Sequence, residues 1–91
     1  MSHVFHPGHH ELHGITVVLE TNSRETFVGR FDSEDERGVR MLDVGIHDGD
    51  GSTKEEYIRR SLKYGIRTDR KEMVVPKEAV VRIRRLADFE S

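Results

Sequence analysis

Four histidines near the start of the chain, His6, His9, His10 and His13, stand three and four residues apart. Neutral imidazoles at helical spacing can ligate Zn²⁺, Ni²⁺ or Cu²⁺. The plainer reading is a polar tail, and no cofactor is expected. A second group is basic. Lys54, Arg59, Arg60, Lys63, Arg67, Arg70 and Lys71 are set against only Glu55, Glu56 and Asp69, with Tyr57 and Tyr64 among them. Cations so gathered can meet phosphates, and a tyrosine ring can stack on a base; the alternative is a solvated surface or a subunit contact. Asp48-Gly49-Asp50-Gly51 has the composition of a calcium loop. If Asp48 and Asp50 fill the third and fifth positions of such a loop, the twelfth is Tyr57 rather than Glu, so a turn is the reading that survives. Ser23, Ser33, Ser52 and Ser61 stand in no nucleophile motif, and Asp32, Glu34, Asp35 and Glu36 crowd a polar stretch with no sign of a pocket to shift their pKa values. No phosphate-binding glycine motif is present. The chain reads as non-enzymatic.

What must position these groups is small. Ninety-one residues make one domain, and with 34% hydrophobic and 35% charged residues its core is thin. There is no cysteine, so neither disulfides nor thiolate-bound metal can compensate. A partner subunit would bury additional apolar area. No apolar run approaches the roughly 20 residues of a membrane span; a soluble, intracellular protein is expected, cytoplasmic or, in a eukaryote, nuclear, with no membrane partner. The formal net charge of −2 hides an asymmetry. Residues 1–50 hold 4 Lys/Arg and 10 Asp/Glu, whereas residues 51–91 hold 11 and 7, so folding could create a charged face.

Residues 1–13 read as a tail or short helix, residues 14–87 as the domain, with an insertion at about 50–70, and residues 88–91 as a frayed tail. Residues 15–20 (ITVVLE), 25–31 (ETFVGRF), 39–47 (VRMLDVGIH), 72–75 (EMVV) and 79–86 (AVVRIRRL) have the β-branched, alternating character of strands. Gly29 suggests a bulge or a close backbone approach, and residues 32–38 (DSEDERG) a charged connection. Residues 52–71 fit two periods. Ser52 with Glu55 makes a capping box and Gly65 a stop, which favours a short inserted helix, while Ile58, Leu62, Tyr64 and Ile66 also alternate as in a strand. Five short strands in this length predict a small barrel whose edge strands, unless closed on themselves, can pair with another subunit.

The blocks resemble the Sm and Sm-like family. Residues 11–46 resemble its first signature through Gly14, Val17, Leu19, Phe27, Gly29 and Asp35, and residues 73–83 (MVVPKEAVVRI) resemble the second. The run Leu19-Glu20-Thr21-Asn22 and the pair Glu34-Asp35 look most like the spliceosomal Sm core proteins. The resemblance covers about three-quarters of the chain. It implies an all-β fold, a strongly bent five-stranded SH3-like barrel, usually after an N-terminal helix. It also implies a ring of five to seven copies in which the fourth strand of one subunit pairs with the fifth of the next. Met73, Val74, Val75, Val81, Ile83 and Arg82 are the interface residues it suggests. Its RNA pocket maps to Arg37, Gly38 and Lys77, to which the inserted Arg59, Arg60, Lys63, Tyr57 and Tyr64 add a candidate surface. The chain departs from the pattern where bases are read: Gly38 takes the place of the family Asn, and Lys77-Glu78, or Pro76-Lys77 in the alternative register, replaces Arg-Gly. Two functions follow as expectations. The first is a ring-forming protein that binds single-stranded RNA or scaffolds a ribonucleoprotein; the second is an oligomeric protein scaffold that has lost the RNA pocket.

Overall fold

The computed structural model describes residues 11–89. Five strands, β1 (Thr16–Thr21), β2 (Thr26–Asp35), β3 (Gly38–His47), β4 (Arg70–Pro76) and β5 (Val80–Arg85), form one antiparallel sheet in the order β4-β3-β2-β1-β5. The helix α1 (Lys54–Tyr64) is inserted between β3 and β4, and short 3-10 turns occupy Lys77–Ala79 and Leu86–Phe89. The five strands expected from the sequence and the inserted helix are all present.

The sheet has to curl. β4 and β5 lie at its opposite edges yet are joined by a turn of three residues. Two irregularities in the β2–β3 register, at Val28/Arg30 and Phe31/Ser33, supply the bend. Gly29 sits at the first. A Cβ there would lie 3.0 Å from both the Leu42 carbonyl oxygen and the Val44 Cα, so the strands approach as closely as the glycine suggested. Asp43, opposite this bulge, has φ 51°, and its carboxylate accepts a 2.7 Å hydrogen bond from Arg30.

Alternation along the strands divides the apolar residues between two faces. Val17, Leu19, Phe27, Phe31, Val39, Met41, Val44 and Val75 fill the concave side, joined by the half-buried Met73, Val80 and Ile83. Val18, Val28, Ile58 and Leu86 form a smaller core on the convex side, with Tyr57, Leu62, Ile66 and Phe89 packed against it. The helix is there to cover that second face. Its apolar positions 57, 58 and 62, with the buried Ser61, lie on one side.

Three boundaries differ from expectation. Residues 32–38 are not a loop: β2 runs to Asp35 and β3 begins at Gly38, pairing Ser33 with Arg40, Glu34 with Val39 and Asp35 with Gly38. Charged residues are compatible with a ladder where their side chains reach solvent, and Arg40 ties Asp32 at 3.7 Å to Glu72 of β4 at 2.5 Å. Only Glu36 and Arg37 remain as a turn, in which the Asp35 carboxylate accepts from the Arg37 backbone N–H at 2.8 Å. The capping box is shifted by one residue. Thr53 accepts from the Glu56 N–H at 3.1 Å, and Glu56 accepts from the Thr53 N–H at 2.9 Å, a bond that holds its carboxyl below the usual range. Gly65, with φ 89°, ends α1 as expected. Finally, Leu86–Phe89 is ordered against the convex core rather than frayed.

Gly38 (φ 149°) is the tightest position in the sheet, because a Cβ there would stand 2.0 Å from the Val75 carbonyl oxygen. Gly51 has φ 82° but open space around it. Gly38→Ala is expected to cost about 3 kcal/mol or more in urea unfolding, since strand backbone must move, and Gly51→Ala about 1 kcal/mol, from left-handed strain alone. Equal costs for the two variants would contradict this packing of β3 on β4.

Candidate functional site: a basic groove between α1 and β5

Glu20 ends an apolar strand, and alternation puts it on the convex face beside Val18. It is only 5% exposed. A carboxylate so buried needs cations, and β5 provides them: Glu20 pairs with Arg82 in the ladder, and Arg84 is two residues along the same strand. The Glu20 Oε1 accepts from Arg82 Nε at 2.7 Å and from an Arg84 terminal nitrogen at 3.2 Å. Lys54, at the start of α1, brings its Nζ within 2.8 Å of Oε2 as an ion pair, off the hydrogen-bonding angle. Burial works to raise the Glu20 pKa, but the bond from Arg82 and the closeness of Lys54 outweigh it and hold the group at about 2. One buried carboxylate thus ties β1, β5 and α1 together.

Around it opens a groove of about 490 Å³. Ile58, Leu62 and Phe89 supply its apolar lining, and Lys54, Arg59, Lys63, Arg82 and Arg84 its cations, with Glu20 and Glu55 as the acidic members. The Arg84 guanidinium lies 4.3 Å from the centre of the Phe89 ring. Neither Phe89 nor the Glu20 cluster was anticipated from sequence. The available signal was the i, i+2 pair of arginines on β5 with a lone carboxylate closing an otherwise apolar strand.

The residues suggested for RNA contact fall into two places. Arg37, Gly38 and Lys77 come together: the Lys77 N–H donates to the Arg37 carbonyl at 3.2 Å, and Gly38 pairs with Pro76. Asn22, the one side-chain amide in the sequence, donates to the Glu78 carbonyl at 3.1 Å nearby. Arg59, Arg60 and Lys63 are exposed on α1, and Arg59 and Lys63 line the groove, whose lining does not include Arg37, Gly38 or Lys77. Tyr57 is unsuited to stacking on a base. It is half-buried, stacks on His47 with ring centres 5.0 Å apart, and burial followed by the charge of Asp69 pushes its hydroxyl up to about 12. Tyr64 is 73% exposed, with Lys63 over its ring at 5.3 Å.

Of the suggested interface residues, Val75 is buried in the chain's own core, and Met73 and Ile83 pack against that core. They are already used within the subunit. Arg82 is committed to Glu20. Val74 and Val81, 50% and 63% exposed, stand free on the two edge strands. His6, His9 and His10 lie outside the described residues. His13 donates from Nδ1 to the Asp32 carbonyl at 2.6 Å. Among the described residues no group of three or more metal-ligating side chains comes together, and no helix is long and apolar enough to cross a membrane.

Removing the charge with Glu20→Gln leaves three cations crowded without their anion. The expected loss is about 1–3 kcal/mol near pH 7, moderated because all three cations reach water. The folded-state pKa lies below the ordinary 4.5, so the folded chain binds this proton less tightly than the unfolded one. The stabilisation is therefore whole above about pH 4.5 and drains away as the pH falls toward 2. Urea unfolding of both proteins at pH 7 and pH 3 should show the gap between them narrowing; a gap independent of pH would contradict the buried ion cluster.

No family model matches the chain, and no curated protein matches it in sequence. The fold is similar to that of a chain in the crystal structure of the NatC complex bound to CoA, with a TM-score of 0.59 and 16% identity over 99% of this chain and 100% of that one. At that identity the likeness shows the fold alone. The expectation of membership in the Sm and Sm-like family is thereby corrected. The physical reason lies in which positions matched: Val17, Leu19 and Phe27 fill the concave core and Gly29 marks a bulge, demands that any strongly bent five-stranded sheet makes, while the positions that would read a base do not match.

Proposed function

We propose that this chain is a non-enzymatic subunit that joins a multi-protein assembly through the free edges of its sheet. The observation that carries the reading is the pair of unpaired edges. Among the described residues β4 bonds only to β3 and β5 only to β1. Each leaves a row of backbone donors and acceptors for another strand. The β4 edge is guarded against indiscriminate pairing by Arg70, Lys71, Glu72 and Pro76, and β5 is a short strand of six residues. Val74 and Val81 are the exposed apolar positions on these two strands. The likeness to a chain of a protein complex supports the same reading.

A second reading, single-stranded RNA as ligand, is supported by the exposed Arg37 and Lys77 that the turns bring together. It would rest on charge, since the nearby amide of Asn22 is engaged.

Native mass spectrometry of the tagged chain, purified from its host after nuclease treatment, tests the two. A stoichiometric protein partner is expected, and Val74→Lys with Val81→Lys should release the chain as a monomer with an unchanged far-UV circular dichroism spectrum. An assembly that disperses under nuclease would favour RNA. A wild-type chain that is monomeric in its host would refute the proposal.

A further inference from the structure

Strand pairing along the backbone edges makes no use of the side-chain groove between α1 and the convex face of β5. Lys54, Arg59, Lys63, Arg82 and Arg84 surround it against two carboxylates, in a chain whose net charge is −2. Glu20 cannot balance this excess. It is one charge shared among three cations. The Arg82, Arg84 and Lys54 side chains still reach water, at 55%, 39% and 41% exposure, so an incoming anion can meet them. Beside these cations the groove is apolar, with Ile58, Leu62 and Phe89 in its lining.

The geometry points to this groove as a docking site for an acidic peptide segment of a partner protein, with carboxylates on the cations and a leucine- or phenylalanine-sized side chain on the apolar lining. Charge complementarity names the acidic character, and the apolar surface names the central residue. Nucleic acid fits less well. Phosphates would meet the cations, but the groove lining offers successive bases a single aromatic ring, Phe89, one face of which Arg84 already occupies. The ligand class rests on the reading of the chain as a protein-binding subunit; the groove itself does not.

The test is fluorescence anisotropy of the full chain at low salt with four labelled probes: the peptide Glu-Glu-Leu-Phe-Glu-Glu, an all-Glu hexapeptide, the Lys counterpart of the first, and a uridine hexanucleotide. The first should bind about tenfold more tightly than the all-Glu peptide, as expected for burial of its apolar centre. The Lys peptide should not bind. Arg59→Glu with Lys63→Glu, both exposed positions, should weaken binding about tenfold or more without altering the circular dichroism. Phe89→Ala should remove the advantage of the apolar centre. No binding of the first peptide, equal binding of the all-Glu peptide or the oligonucleotide, or indifference to the double charge reversal would overturn the assignment. Val74 and Val81 do not line the groove, so Val74→Lys with Val81→Lys should bind the peptide as the wild type does. Failure here therefore leaves the edge-strand proposal standing.

Discussion

A single five-stranded sheet presents two faces to water, and this chain has apolar residues on both. The concave face is covered by curling the sheet until its own strands meet across the interior. That requires the bulges in β2 and β3 and the absence of a side chain at Gly29 and Gly38. The convex face cannot be covered by curling and has to borrow another element. Hydrophobic burial thus imposes two different solutions on the two sides of one sheet.

The borrowed element is α1. Its cover is partial: it shields Val18 and Val28, while the outward-facing residues of β5 are Arg82 and Arg84. Where apolar cover gives out, Glu20 and its three cations take over as the tie between helix and sheet. A charged tie is less compact than a packed one. It leaves the groove, and it leaves cations in excess of what one carboxylate can satisfy. The groove is in this sense the remainder of a helix too narrow for the face it covers.

Much of the fold was legible in the residues. β-branched alternation marked all five strands, and the capping signals at residues 52–56 with Gly65 decided for a helix where two periodicities competed. The charged run at residues 32–38 reads as a connection, whereas its outward-facing charges lie on a paired ladder that narrows the turn to Glu36 and Arg37. The site was less legible. Basic residues on α1 were visible, but their neighbours Glu20, Arg82, Arg84 and Phe89 come from opposite ends of the described chain, and only the β1–β5 pairing brings them together. The family resemblance rested on the pattern of the bend, which is a property of the sheet rather than of any ligand.

The same β1–β5 pairing bears on how the molecule assembles. β1, β2 and β3 follow one another through short connections, so their pairing closes small loops. The seam between β1 and β5 instead joins positions such as Leu19 and Ile83, and the entropy of closing so long a stretch makes it costlier to form than the hairpins. On loop closure alone the three-stranded meander is the cheaper unit to form, and the seam that carries Glu20 is the costlier one.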